Sequence, residues 1–416
     1  MKSKIKHPEL AEEGESLVNW AEGHMPAIKV VVKEYERKQP LKGVTISACL
    51  HVTKETGILV KALNQLGAEV ALAASNPLTT QDSVAAHLVE SGINVFAWRG
   101  ETSQEYTESL SRILDFRPQI VIDDGGDAHV QIHEGRLSVL EGVVGGTEET
   151  TTGVNRLKAL SRSERLRYPV IAVNNAKTKI IFDNKYGTGQ STVDGIMRAT
   201  SILFAGKTFV VCGYGWVGRG IAKRARGMGA NVIITEVDPL RALEAHVEGF
   251  RVMPLKEASR LGDLFVTATG QTDVIRKEHL EVMRDGAILA NSGHFNVEIA
   301  IAELEELSRG KKRIRDHVEE YSLKDGRKLH LLTEGRLVNL AAAEGHPSEV
   351  MMCSFANQLL SILYIVDQGR RLEPRVYDVP TEIDGKVAEF TLTGWGISID
   401  SLTEKQKRYA ESWRGE

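Results

Sequence analysis

The run Gly213-Tyr-Gly215-Trp216-Val217-Gly218 follows the apolar Phe209-Val-Val-Cys212 and opens a helical stretch reaching Met228. G-x-G-x-x-G in that position binds a dinucleotide. Gly213 permits the tight turn, Gly215 lets the backbone approach a pyrophosphate, and Gly218 lets the helix pack closely on the strand. The helix N-terminus adds N–H groups and the positive end of its dipole. Glu236 ends the next strand-like run, 18 residues after Gly218, where a carboxylate accepts from ribose hydroxyls. The same carboxylate selects the cofactor, since a 2′-phosphate about 4 Å away would be repelled by several kcal/mol at an effective dielectric near 20. Lys223 and Arg241 lie close in sequence but read as solvated helix charges. NAD is the expected cofactor.

Further polar segments interrupt otherwise apolar surroundings: His51-Val-Thr53-Lys-Glu55-Thr56, Asp123-Asp124-Gly-Gly-Asp127, Glu148-Glu149-Thr150-Thr151-Thr152-Gly153, Lys179-Ile-Ile-Phe-Asp183-Asn184, Asn291-Ser-Gly293-His294-Phe-Asn296, and Asn339 to Glu344-Gly-His346-Pro347. Alone, each has an ordinary reading. Asp123–Asp127 could be a turn or an oxygen-ligand metal site, and no metal is assigned to it. Thr150–Thr152 could cap a helix, with Glu149 favouring its dipole. His51, His346 and Lys179 could be structural or solvated. Together they fall at the expected C-terminal ends of strands, where open α/β sheets bind ligands.

The elements that must position them alternate. Strands are expected at 43–50, 69–74, 94–98, 119–123, 141–145 and 170–173, with helices at 56–66, 81–91 and 103–114 between them. A second series starts after Gly206, with strands at 208–212, 231–235, 264–267 and 287–291. Strand–helix alternation of this length implies parallel sheets covered on both faces. Gly187–Gly189, between a strand-like segment and a helix over 193–205, is the expected hinge. A second crossing is expected near 339–345, before a helix around 351–366.

The 416 residues, 42% hydrophobic and 26% charged, make an ordinary globular protein rather than a disordered one. A net charge of −4 argues against a general nucleic-acid or membrane-surface binder. No apolar run approaches the roughly 18–20 residues of a bilayer helix, and the first residues lack the apolar stretch of a signal peptide. Cys49, Cys212 and Cys353 lack C-x-x-C spacing, which fits a reducing cytoplasm and excludes a disulfide framework.

The strings Leu50–Thr56, Asp123–Asp127, Glu148–Gly153, Phe182–Gly187, Gly213–Gly218, Glu344–Ser348 and Leu402–Gln406 resemble the S-adenosylhomocysteine hydrolase family, from about residue 15 to residue 413. The resemblance implies two doubly wound parallel-sheet α/β domains. A Rossmann NAD-binding domain (183–340) is inserted in a discontinuous substrate-binding domain (1–182 and 341–380), and a C-terminal extension (381–416) makes oligomer contacts in a homotetramer. It implies reversible cleavage of S-adenosylhomocysteine to adenosine and homocysteine. Lys179 would take the 3′-hydroxyl proton, with Asp183 and Asn184 positioning it and Glu149 orienting the ribose diol. Asp124 would be the base at C4′, with His51 and His294 carrying protons around C5′. Thr53 and Glu55 would read the purine, and His346 would also contact substrate. Thr150, Thr151, Thr152, Asn184, Gly213, Gly215, Trp216, Val217, Gly218, Glu236, Thr269, Gly293, His294 and Asn339 would line the cofactor.

The sequence departs from the family pattern in three places. Thr188 replaces a cysteine common in the family, Trp216 stands where an acid is common, and the chain ends at Glu416 without the Lys/Tyr-containing tail that closes a neighbouring NAD pocket. Easier NAD exchange is the expectation from the last.

Such chemistry needs this combination. A thioether at a primary carbon resists direct displacement by water. A 3′-ketone makes the C4′ hydrogen acidic, so the thiol leaves by elimination, water adds to the enone, and the stored hydride returns. An S-inosylhomocysteine hydrolase is the near alternative. A net NAD-dependent dehydrogenase is a remoter one, without an evident acid-binding arginine beside a His/Glu pair. A catalytically silent binding relative is disfavoured by the intact Lys179, Asp183, Asp124, His51 and His294.

Overall fold

The β-branched runs form strands whose sequence order and spatial order differ, and that difference builds the site. The computed structural model describes residues 3–413, so Met1, Lys2 and the chain end expected at Glu416 lie outside the described residues. The first series comprises β1 (Thr45–Cys49), β2 (Glu69–Ala73), β3 (Asn94–Phe96), β4 (Ile120–Asp123), β5 (Gly145–Glu148) and β6 (Val170–Ala172). The second comprises β7 (Thr208–Cys212), β8 (Asn231–Thr235), β9 (Arg251–Val252), β10 (Leu264–Thr267), β11 (Ala287–Asn291), β12 (Ser308–Arg315), β13 (Val318–Leu323) and β14 (Lys328–Leu332), and β15 (Val376–Asp378) comes last.

One sheet runs β15-β6-β5-β4-β1-β2-β3 and the other β12-β13-β14-β11-β10-β7-β8-β9. The first is parallel throughout, including β15 against β6. The second is mixed. From β9 across to β14 it is parallel, but β13 and β12 add as an antiparallel meander. The expected doubly wound parallel arrangement is present in both sheets, with this antiparallel pair added at one edge of the second. β12 is almost entirely exposed and mostly basic, with Arg309, Lys311, Lys312, Arg313 and Arg315 among its eight residues, so it shows no core-facing alternation. Charged side chains on an edge strand discourage pairing with another chain.

Other expected boundaries also move. Residues 141–142 lie in a turn, and the strand begins at Gly145, because it must deliver Glu148 at its end. The strand-like segment before the expected hinge is a π-helical turn, Ile180–Gly187, continuous with helix Thr188–Thr200, which ends at Ser201 in the left-handed region (φ 54°). Gly187–Gly189 is therefore not a break in the helix. Its glycines serve close approach: a Cβ on Gly189 would sit 2.5 Å from the Gly220 carbonyl carbon, and one on Gly220 only 1.9 Å from the Lys185 carbonyl oxygen. Backbone thus touches backbone where this helix crosses the dinucleotide helix Trp216–Gly227.

The helix expected around 351–366 is longer than its apolar pattern implies and runs Ser348–Gln368. One 18-residue window of it reaches a mean hydropathy of 1.5, long and apolar enough by composition alone to cross a membrane. The helix is a core element: Met352, Phe355, Leu359 and Ile362 are buried against the first sheet's helices. Ser354, Asn357, Gln358 and Ser361, also buried, break its apolar run. Helix Thr381–Gly394, in the segment assigned to oligomer contacts, packs on helices Pro26–Tyr35 and Ser348–Gln368. Its Asp384 accepts from the Lys177 and Thr178 N–H groups at 2.7 and 3.0 Å, capping the turn that carries Lys179.

Candidate active site

Both sheets present the carboxyl ends of their central strands to one cavity of about 1320 Å³. Its walls include every expected site residue except Gly218, which lies under the glycine turn. A Cβ on Gly218 would fall 2.0 Å from the Gly213 carbonyl oxygen, so its part is packing alone.

From the second sheet comes a cradle shaped for a pyrophosphate. Gly213 has φ +100°, and a Cβ there would meet the Ala268 carbonyl oxygen at 2.7 Å. Glu236 accepts from the backbone N–H groups of Tyr214, Val237 and Asp238 at 2.7, 2.7 and 3.1 Å, tying the end of β8 to the glycine turn. Of the two nearby cations, Lys223 pairs with Glu248 at 2.9 Å and faces away. Arg241 lines the cavity while its side chain stays 51% exposed to solvent. Trp216 lies under the Arg219 guanidinium at 5.0 Å and the Lys185 ammonium at 5.9 Å. Thr269 is placed by Glu298, which accepts from its N–H and hydroxyl at 2.9 and 2.7 Å. Gly293 leaves room for that same carboxylate, 1.9 Å from where its Cβ would be. A turn built on Gly213 and Gly215, a carboxylate at the end of the second strand and continuity with the cavity all fit NAD.

From the first sheet and the π-turn comes a different set. Lys179, 3% exposed, donates to Asn174, Asp183 and Asn184 at 3.3, 3.2 and 2.8 Å. Burial works against its charge, but Asp183 and Glu149 outweigh it, so the ammonium is held above its ordinary pKa. Asp183 also meets His346 at 3.3 Å and the Ser354 hydroxyl at 3.3 Å. Burial would raise its carboxyl, yet Lys179 and His346 hold it below the usual range. Burial opposes the charge on His346 too, and Asp183 again prevails and raises it. Asn339 and His346 share the Ser191 hydroxyl at 3.3 and 3.5 Å.

Glu149 is unlike these. Burial pushes its pKa up to about 7. Gln358 donates to its Oε2 at 2.5 Å, while Oε1 is buried without a partner. Asp124 likewise keeps a buried, unpartnered Oδ1 while its Oδ2 lies 3.5 Å from His51 Nε2. His51 Nδ1 is held by the Thr79 hydroxyl at 2.7 Å, and burial lowers its pKa despite Asp124. From the other sheet, His294 Nε2 sits 3.0 Å from the position of a Cβ on Gly125, so it adjoins Asp124. Thr53 caps helix Lys54–Gln65 by accepting from Thr56 N–H at 3.5 Å. Glu55 is 2% exposed and accepts from Ser348 at 2.6 Å. Thr150 caps helix Thr151–Arg162, and Thr151 reaches Asn174 at 3.3 Å.

Residues 184–345 match the description "S-adenosyl-L-homocysteine hydrolase, NAD binding domain", and residues 2–144 match "S-adenosyl-L-homocysteine hydrolase". An adenosylhomocysteinase of Sulfurisphaera tokodaii is 59% identical, covering 100% of this chain and 99% of that protein. The chain belongs to the S-adenosyl-L-homocysteine hydrolase family. An adenosylhomocysteinase of Aeropyrum pernix is 60% identical over 99% of both chains. An S-inosyl-L-homocysteine hydrolase of Methanopyrus kandleri is 53% identical over 98% of this chain and 97% of that one. As a hydrolase of this family the protein uses NAD, bound by the second sheet.

Several groups that shape the site escape a reading of the sequence. Asn174, Ser354 and Gln358 touch Lys179, Asp183 and Glu149, yet in sequence they are single or paired polar residues within apolar runs. The spacing 354, 357, 358, 361 puts a polar stripe on one face of an apolar helix, and that stripe is the available signal. Glu298 has none.

Proposed function

We propose that the protein hydrolyses S-adenosylhomocysteine reversibly to adenosine and homocysteine. The observation that carries this reading is a single cavity holding two unlike groups beside the NAD cradle: the Lys179–Asp183–Asn184 cluster and the Asp124–His51 pair. When bound, NAD supplies a reversible acceptor for the C3′ hydrogen. Lys179 takes the 3′-hydroxyl proton, while Asp183 and Asn184 hold the amine and Glu149 engages the diol. The C4′ proton, now α to a ketone, passes to the free oxygen of Asp124. His51 and His294 stand beside that carboxylate and carry protons to the departing sulfur and from the incoming water. Each such acid–base partner contributes typically about 10²–10⁴-fold. Burial of these groups excludes water from the enone until it is wanted.

We keep the division at 182/183 and 340/341, which the return of β15 to the first sheet within residues 341–380 supports. Exposed apolar residues support a homotetramer, among them Val237, Leu240 and Val247 on the second-sheet side and Ile399 and Leu402 in the C-terminal segment. Three buried free thiols support a cytoplasmic setting.

The deciding experiment limits NAD⁺ to a small fraction of the substrate. Many equivalents of homocysteine per NAD should appear with no net NADH. Thiol release that stops at one equivalent per NAD would overturn the reading, and NADH accumulating with turnover would mark a net dehydrogenase.

The second reading takes the inosine substrate, which the name of the Methanopyrus kandleri relative prompts. Adenine is favoured because a Glu55 carboxylate accepts from its amine, whereas hypoxanthine turns an oxygen toward it. A mismatched buried polar pair costs roughly 1–3 kcal/mol, about 5- to 150-fold. We expect kcat/KM to favour S-adenosylhomocysteine by that margin, and Glu55→Gln to narrow the ratio. A native preference for the inosine compound, or an unchanged ratio in the variant, removes this role from Glu55.

A further inference from the structure

Beneath Asp124 lies a group the mechanism does not use. Asp123 and Glu148 are register partners at the ends of β4 and β5, and both are fully buried. Their oxygens and a His129 ring nitrogen all lie within 4.8 Å of one another, which has the outline of a metal site. The hydrogen bonds argue against that use. His129 spends Nδ1 on the Tyr168 hydroxyl at 2.9 Å and Nε2 on the Thr147 carbonyl at 3.2 Å. Asp123 accepts from the backbone N–H groups of Asp124 and His129, both at 2.9 Å.

Glu148 is placed differently. Its Oε1 accepts from Gly125 N–H at 2.9 Å, on the loop that carries Asp124, and from both the N–H and the hydroxyl of Thr150 at 3.0 Å. Its Oε2 is buried with no partner. The carboxyl fills a slot beside Gly153, where a Cβ would lie 2.1 Å from its carbon. An ionised carboxylate there would have a bare Oε2 and the neighbouring Asp123 and Asp124 against it, with only the three donors to Oε1 to offset its charge. Arg156, the cation on helix Thr151–Arg162 beside this loop, donates instead to Asp127 and the Gly125 carbonyl at 2.7 and 2.6 Å. An uncompensated buried charge costs far more than one unmade hydrogen bond. Burial, reinforced by Asp123 and Asp124, accordingly holds Glu148 well above the ordinary carboxylate pKa.

We infer that Glu148 is a positioning residue, a neutral carboxylic acid that clips the Asp124 loop to the Thr150 turn and so fixes the C4′ base relative to the cofactor-facing threonines. This rests on Asp124 being that base. A glutamine keeps the accepting oxygen and the neutral second arm, so the amide can replace the acid. An alanine lets the loop and turn drift apart, and a displacement of about 1 Å at a reacting group costs on the order of 100-fold.

The test loads the protein with NAD and adenosine in D₂O. It follows the rate of NADH formation, deuterium uptake at C4′, and thermal melting. Glu148→Gln should exchange within about threefold of the native rate. Glu148→Ala should form NADH at the native rate but lose exchange by about 10- to 100-fold. If Glu148→Ala does not fold, Glu148→Asp, which withdraws the carboxyl by one methylene, is read the same way. Exchange in Glu148→Gln as slow as in the alanine variant would mean the charged form is required and would overturn the inference. Oxidation slowed as much as exchange would overturn it too, as would unchanged exchange in the alanine variant. Asp124→Asn is run alongside. Exchange surviving there defeats the assignment of the base and this inference with it, whereas exchange lost there but unchanged in Glu148→Ala defeats the inference alone.

Discussion

Lys179→Ala should abolish the first half-reaction: mixed with adenosine, the NAD-loaded variant should form NADH about 10²–10⁴-fold more slowly than the native protein. Lys179→Arg should do no better, although it keeps the charge, because a guanidinium does not give up its proton near neutral pH. That pair of variants separates proton transfer from electrostatics. In the resting site Lys179 is an ammonium whose three acceptors, Asn174, Asp183 and Asn184, hold its charge against complete burial. The amine must be deprotonated to accept the 3′-hydroxyl proton, so the native oxidation rate should climb with pH on the alkaline side. The measurement is stopped-flow absorbance at the NADH band from pH 6 to 10. Native-like oxidation in Lys179→Arg, or a flat native profile, would take the base role away from Lys179. Structural collapse is a weak rival account for Arg, which keeps the partners Asp183 and Asn184 within reach of a longer cation.

Asp124→Asn should leave that first step and stop the next. Its free Oδ1 is the buried acceptor at the end of β4, and an amide in its place is isosteric but cannot take a proton. NADH should form with native amplitude, then persist, while homocysteine release falls by about 10²–10⁴-fold. His51 also lies 3.5 Å from this carboxylate, so losing the negative charge removes what offsets the burial of the imidazole and should lower the His51 pKa further. Rapid mixing with S-adenosylhomocysteine, followed by a thiol reagent, reads both steps in one sample. A variant that releases homocysteine at the native rate, or one that never forms NADH, would show that Asp124 does not act at C4′.

Much of this site is legible in the amino-acid sequence. Strands such as 208–212, 231–235, 264–267 and 287–291 stand out because each is a short apolar run bounded by turn or polar residues, and their ends carry or adjoin residues that line the cavity. Helix Ser103–Leu114 is equally plain, and the structure supplies its reason in a capping box between Thr102 and Glu105. What stays hidden has physical causes. β12 carries charges on both faces, so no period of two marks it, although Asp325-Gly326 between β13 and β14 is a usable hairpin signal. The π-turn at Ile180–Gly187 arises from the need to bring Lys179, Asp183 and Asn184 onto one side, which no local propensity encodes. Gln358 and Ser354 reach Glu149 and Asp183 across more than 150 residues of chain. Pairings of that kind are set by tertiary packing, not by neighbours in sequence.

The pairing of β15 with β6 has a bearing on how the chain is made. Val376 meets Val170, roughly 200 residues earlier, while β7 through β14 lie in one unbroken stretch between them. During synthesis at about 5–20 residues per second, the β6 edge therefore waits on the order of 10–40 s for its partner. The second sheet can complete itself in that interval, but the first cannot. An unpaired parallel edge of Val170-Ile171-Ala172 is a template for another nascent chain, and helix Ser348–Gln368 must also emerge before Glu149 and Asp183 have their covering layer. The first sheet is thus completed late in synthesis, which makes the window before residue 376 leaves the ribosome the period when a holdase would matter most.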